Sequence, residues 1–248
     1  MNARHTALLE YITKHGKTEV GILAEYLNTS KVTIRKDLDY LAKHSMLKRE
    51  RGYAVPNDPS DINYRMAFHY DRKQRIAKTA ASYVQDGEMV IIESGSTCAL
   101  LAEELAKSNR NVTIITNSMY IANYIKDYTN IQIILLGGTL QTKSQSLVGP
   151  LTKNAVKAFH VNKIFFGTDG YSREFGFTGD DLIRSDTLKD MINCAVHAYV
   201  LTDSEKFEQP GSVSFLDLKN VHEVITDSEI PKSEYDYLVQ QGITVTLV

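Results

Sequence analysis

Seven short stretches of the chain are almost continuously apolar: MVIIE at 89–93, VTIIT at 112–116, IQIILL at 131–136, KIFFG at 163–167, AYVLTD at 198–203, EVITD at 223–227 and ITVTLV at 243–248. A strand exposed on one face alternates apolar and polar residues. A run apolar throughout is buried on both faces, as in parallel sheets covered by helices. Helical stretches precede and separate the runs, among them DRKQRIAKTAASYV at 71–84, a helix opening at Thr97, and SMYIANYI at 118–125. This alternation predicts an α/β fold with a mostly parallel sheet over residues 65–248.

The first 55 residues differ. They carry ten Lys and Arg against six Asp and Glu, whereas the remainder carries 18 against 24, which gives the chain its net charge of −2. A basic head on an acidic body fits a small nucleic-acid module joined to a larger domain with another task. At 248 residues and 43% hydrophobic content, one or two domains are expected. Cys98 and Cys194 form no CxxC pair, and the seven His show no ligand spacing, so neither a metal nor a cofactor is expected. With no apolar leader and no run of about 18 apolar residues, the chain reads as soluble and cytoplasmic, without a membrane partner.

Residues 1–45 read as three helices. Leu8, Leu9 and Ile12 share a face of the first, Gly16 stops it, and Thr18 is the expected N-cap of a second carrying Val20, Leu23, Ala24 and Leu27. After a turn at Asn28 and Thr29, Ser30 opens a third helix in which Ile34, Leu38 and Leu41 recur on the inner side. That leaves Lys31, Thr33, Arg35 and Lys36 outside. A solvated helix carries such a face too. Here it follows a helix and a short turn, the arrangement that sets a helix in the DNA major groove. Arg35 can bond a guanine edge through two donors, and Ser30, Lys31, Thr33 and Lys36 suit phosphate oxygens. MLKRERGYAV then reads as a two-stranded wing presenting Lys48, Arg49 and Arg51, with a turn at Gly52. Asp37 is expected to pair with Arg4 or a neighbour. The proline- and aspartate-rich residues 56–64 are the expected linker, giving domains 1–55 and 65–248.

In the body, the first apolar run enters Ser94-Gly95-Ser96-Thr97 and then a helix. Glycine permits close backbone approach, and helix-terminal amides with two hydroxyls favour an anion such as phosphate. The spacing is not GxGxxG, and in GTLQTKS (138–144) Thr142 stands where a P-loop needs glycine, so dinucleotide binding and nucleotide hydrolysis are disfavoured. Polar loops also follow other strands: Thr116-Asn117-Ser118, Gly137-Gly138, Gly167-Thr168-Asp169-Gly170 and Asp203-Ser204-Glu205-Lys206. Ligands of open α/β sheets bind at such strand ends, and Lys206 would supply the counter-charge to a phosphate.

SKVTIRKDL at 30–38 resembles the helix-turn-helix signature of the DeoR family of bacterial transcription regulators, Ser-x-x-Thr-aliphatic-Arg-Arg/Lys-Asp-Leu. The resemblance extends over the whole chain. Many members end the wing in Gly-Gly-Ala; this chain has RERGYAV, with one glycine. The resemblance implies an effector domain similar to ribose-5-phosphate isomerase that binds a phosphorylated sugar. Gly95-Ser96-Thr97 would match its phosphate loop, Thr116-Asn117-Ser118 its Thr-Asn-Ser, Gly137-Gly138 its paired glycines, and Asp203-Ser204 with Lys206 its Asp-x-x-Lys. Asp169 and Asp186 would meet sugar hydroxyls, Asp186 being shorter than the glutamate expected there. The family consists mostly of repressors, implying a repressor of sugar uptake or catabolism genes, with double-stranded operator DNA, a sugar phosphate and further copies of itself as partners.

The rival reading is an isomerase. Moving a proton between adjacent carbons requires a placed base and a stabiliser for the enediolate. Where the isomerase has an acid-rich loop and a catalytic Lys, this chain has TDGYSR and FGFTGDD, so catalysis is not expected. An RNA-binding or protein-docking module would leave Arg35 without a role.

Overall fold

The computed structural model describes residues 3–43, 46–207 and 209–248, and the chain divides into two compact units, Met1–Tyr70 and Asp71–Val248. Among these residues no helix is long and apolar enough to cross a membrane.

The first unit comprises α1 (Ala3–His15), β1 (Thr18–Glu19), α2 (Val20–Tyr26), α3 (Lys31–Lys43), β2 (Leu47–Glu50), β3 (Tyr53–Pro56) and α4 (Ile62–Ala67). Its core joins Leu8, Leu9 and Ile12 of α1, Leu23 of α2, Ile34, Leu38 and Leu41 of α3, and Leu47 and Ala54 of the wing. Burying each such side chain stabilises the fold by roughly 1.5–3 kcal/mol. The wing is an antiparallel pair turning at Gly52, whose φ of 81° suits glycine. Thr18 does not cap α2. It pairs with Ala54 in a third strand, and its hydroxyl donates to the Gly16 carbonyl. Glu19 takes the cap position without a side-chain bond. The stretch expected as a linker is also structured. Asp61 caps α4 by accepting the Asn63 amide, Ile62 is fully buried, and the Tyr64 hydroxyl donates to Thr13. The division between units falls later, after Tyr70.

In the second unit, α5 (Tyr70–Ser82) leads into β4 (Met89–Ile92), α6 (Ser96–Lys107), β5 (Val112–Thr116), α7 (Met119–Ile125) and β6 (Ile131–Leu135). A short antiparallel pair follows, β7 (Thr139–Gln141) and β8 (Ser146–Val148), then α8 (Pro150–Val156) and β9 (Val161–Phe166). Next come β10 (Gly170–Ser172), β11 (Gly176–Gly179), α9 (Leu182–Ile192), β12 (Ala195–Leu201), β13 (Val213–Leu216), β14 (Glu223–Thr226), α10 (Lys232–Gln240) and β15 (Thr244–Leu247). The seven apolar runs are the seven strands of one parallel sheet, ordered β15-β14-β12-β9-β4-β5-β6. Ile91, Ile115, Ile164, Phe166, Val200 and Val224 lie in its buried core. The antiparallel sheet β10-β11-β13 was not anticipated from the sequence.

The strand order decides where a ligand can sit. From β4 the chain adds β5 and β6 on one side, then returns to lay β9 on the other. The connections leaving β4 and β9 diverge, opening a crevice beyond the carboxyl ends of these strands.

Candidate functional sites: the outer face of the third helix and the crevice of the parallel sheet

In the first unit, the Ser30 hydroxyl accepts the Thr33 amide at 3.1 Å and lies 2.9 Å from the Thr33 hydroxyl, capping α3. Ile34, Asp37, Leu38 and Leu41 are buried, while Lys31, Arg35 and Lys36 are exposed and Thr33 is half-buried. Val32 is 60% exposed and shares that outer side, so it is not a core residue. The helix is held from behind. Arg4 donates to both Asp37 oxygens at 2.5 and 3.0 Å, and His5 Nε2 lies 3.2 Å from one of them. The Arg4 hydrogen bond, against burial and with help from His5, holds the Asp37 carboxyl below the usual carboxylate range.

On the wing, Lys48 and Arg51 are exposed. Arg49 is placed otherwise than expected: its Nη1 donates to Asp39 at 2.5 Å and to the Arg35 carbonyl at 3.3 Å. Its guanidinium ties the wing to α3, and only a quarter of the side chain is exposed.

In the second unit, Gly95 is the N-cap of α6 at the crevice. A Cβ there would lie 3.2 Å from Glu93 Oε2 and 3.6 Å from the Gly167 Cα, so a side chain would crowd the meeting of the β4 and β9 loops. Glu93 is buried, its carboxylate accepting the Gly95 amide at 2.8 Å and the Ser94 hydroxyl at 2.7 Å. Ser94, Ser96 and Thr97 are buried as well, and Ser146 of β8 roofs the loop by donating to Ser94 at 2.7 Å. Of the next loop, Thr116 accepts the Ser118 amide and Ser118 caps α7, so both serve the turn. Asn117 donates to the Leu147 carbonyl, while its Oδ1, buried, has no partner among the described residues. Gly137 and Gly138 serve packing: the Gly137 carbonyl accepts from Thr152, and a Cβ on Gly138 would fall 2.0 Å from that hydroxyl.

Asp169 receives Arg184 Nη2 at 2.6 Å and the Asp180 amide at 3.1 Å. Burial lowers the Arg184 pKa, but the charges of Asp169 and Glu93 prevail and raise it, fixing the cation. Asp186 does not join this group; it is exposed and bound by Lys153 at 2.7 Å. Lys206 and Asp169 line one cavity of about 340 Å³ with Arg72, Ser204, Glu205, Gln209 and Glu229. Its size suits a small metabolite. Ser94–Thr97 are not among its lining residues. Sequence reasoning missed Arg72, Arg184 and Glu93. Only Glu93 had a legible sign, an acid closing an apolar run; the two arginines reach partners 157 and 15 residues away.

Residues 4–60 match the pattern of the DeoR-like helix-turn-helix domain, and residues 68–228 that of the DeoR C terminal sensor domain. The chain is 27% identical to the L-fucose operon activator of Haemophilus influenzae, covering 100% of both chains. It is 29% identical to the HTH-type transcriptional regulator GolR of Listeria innocua, over 98% of this chain and 97% of that one. Among solved structures, ribose 5-phosphate isomerase A of Methanocaldococcus jannaschii aligns with 56% of this chain and 54% of its own, at 22% identity and a TM-score of 0.42. A helix-turn-helix head with an exposed basic helix, followed by a matching sensor domain, places this chain in the DeoR family of transcriptional regulators.

Proposed function

We propose that the protein represses genes of sugar uptake or catabolism, and that a phosphorylated sugar in the second unit sets its affinity for the operator. The observation that carries this reading is the polar cavity holding Lys206 and Asp169 at the carboxyl ends of β9 and β12. Lys206 is the proposed phosphate ligand and Asp169 receives sugar hydroxyls; the loop Gly95-Ser96-Thr97 does not line this cavity and its Gly95 amide is held by Glu93, so the loop is left out of the proposal. Asp186, committed to Lys153, is left out of the proposal. On the DNA side, Arg35 reads a base edge, while Ser30, Lys31, Thr33, Lys36, Lys48 and Arg51 contact the backbone. One head covers little DNA, so the protein acts as at least a dimer, assembled through residues after Arg65, on a repeated operator. A monomer by light scattering that still binds its operator tightly would exclude this.

The enzyme reading has less support. The Asp169 carboxylate already accepts from Arg184 and the Asp180 amide, so its oxygens are engaged where a base would have to meet the substrate. One relative is named an operon activator, so the sign of regulation has to be measured. The test is calorimetry with matched phosphorylated and free sugars, paired with operator titration. The phosphorylated sugar binds and lowers operator affinity, the free sugar does neither, and no turnover is detected. Lys206→Ala binds operator normally and ceases to respond. Equal binding of both sugars, or a fully responsive Lys206→Ala, would refute the phosphate reading.

A further inference from the structure

Arg72 stands in the first turn of α5, at the edge of the cavity that holds Lys206. Its Nη2 donates to Glu229 Oε2 at 2.6 Å; its Nη1 is 3.4 Å from the Ser204 hydroxyl, beyond a good hydrogen bond. A guanidinium offers five N–H donors in a planar fork, and this one has a single close partner among the described residues. That partner is weakly held, because the Glu229 side chain is 66% exposed against 25% for Arg72. An exposed ion pair contributes little and exchanges easily.

The rest of the lining sets the charge of the ligand. Asp169 is neutralised by Arg184, which lies 2.6 Å from it. Glu205 is exposed. The Lys206 ammonium makes no hydrogen bond or ion pair among the described residues. Ser204 and Gln209 add a hydroxyl and an amide, and among the described residues no aliphatic or aromatic side chain enters the lining. The lining holds two cations and three carboxylates; with Asp169 met by Arg184, Glu205 turned to solvent and Glu229 displaced, the two cations face a dianion, and a fork beside a point charge suits the oxygens of a phosphate monoester. The Gly95 amide, by contrast, already serves Glu93.

We propose that Arg72 is a second ligand of the effector's phosphate, and that Glu229 is its internal competitor, exchanged for the phosphate when the effector binds. This rests on the effector reading above but assigns residues that reading does not include. No bond is made or broken; one ion pair replaces another.

The experiment is isothermal titration of the full chain with inorganic phosphate at constant ionic strength, with acetate as the monoanionic control. Wild type, Arg72→Gln and Glu229→Gln are compared. Arg72→Gln weakens phosphate by roughly ten- to a hundredfold, the range for one hydrogen bond to a charged group. Glu229→Gln tightens it by roughly two- to fivefold, because an exposed competing pair has been removed. Acetate gives no measurable heat. Opposite signs for two partners of one ion pair separate ligand exchange from a structural role, in which both variants would lose affinity. Arg72→Lys, which keeps the charge and loses the fork, falls between wild type and Arg72→Gln and serves if the glutamine variant misfolds. Unchanged or weaker phosphate binding in Glu229→Gln would overturn the proposal, as would a wild type that binds no phosphate at millimolar concentration. Phosphate bound equally by wild type and Arg72→Gln also overturns it, yet spares the effector reading, which stands or falls on the phosphorylated and free sugars.

Discussion

The two units treat their charges in opposite ways. In the head, Lys31, Arg35, Lys36, Lys48 and Arg51 stand in water, and the buried Asp37 is occupied by Arg4 and His5 in holding the helix. In the body, the polar groups where the β4 and β9 loops meet are already bonded from within: Glu93 by Gly95 and Ser94, Asp169 by Arg184, Ser94 by Ser146. The difference follows from the ligands proposed for them. A polyanion as long as DNA is met by an open surface, where binding comes largely from released counterions. A small metabolite gives its specificity only to a concave, drier site, which in its absence would strand polar groups unless they bonded one another. Binding in the body therefore exchanges internal bonds for bonds to the ligand, whereas binding in the head adds bonds to groups that had only water.

Salt separates the two units most strongly. If a dimer of heads makes about six phosphate contacts, operator affinity should fall roughly 10³-fold between about 50 and 200 mM salt. Effector binding, shielded inside the cavity, should fall less than about tenfold over that range. Parallel salt slopes for the two ligands would contradict the assignment of an open site and an enclosed one.

Substitutions along the head have smaller effects. Arg35→Ala should lose about 1–3 kcal/mol on the operator and flatten the preference at one base pair. Lys36→Ala should weaken all sequences alike and reduce the salt slope by about one. Arg49→Ala should change operator affinity less than Lys36→Ala does, since its guanidinium is engaged by Asp39 and the Arg35 carbonyl. Titrations at several salt concentrations rank the three; an Arg49→Ala loss equal to that of Arg35→Ala would put Arg49 back at the DNA.

The smallest effect concerns acid. The folded-state pKa of Asp37 is depressed. Its contribution to the head is therefore fully present above the unfolded-state value and is lost as pH falls from about 4 through the lower folded value. Thermal melts of wild type and Asp37→Asn should diverge at neutral pH and converge in acid. A constant gap between them at every pH would show that Asp37 acts through packing instead of charge.

The seven sheet strands and the three helices of the head were legible because each is written locally, in an apolar period and its punctuation. The loops Ser94–Thr97 and Thr116–Ser118 were legible for the same reason, each following an apolar run. Their roles were less so: Thr116 and Ser118 cap a turn, and Gly138 makes room for Thr152. The linker was misjudged because proline and aspartate mark a turn without telling whether the next residue, here Ile62, will be buried.

What the sequence determined by itself was the division into a basic head and an α/β body, and the identity of the strands, since periodicity and charge are properties of neighbours along the chain. Tertiary structure alone decided which charges are available. On paper Arg49 reads as a wing cation for DNA and Asp186 as a sugar contact, while Arg184 and Arg72 carry no sign of a role. In the fold the first two are tied to Asp39 and Lys153, the third is fixed against Asp169, and the fourth reaches Glu229 beside Lys206. An ion pair depends on where the fold brings two side chains and how much water it leaves around them, and a pair 157 residues apart has no local pattern to announce it.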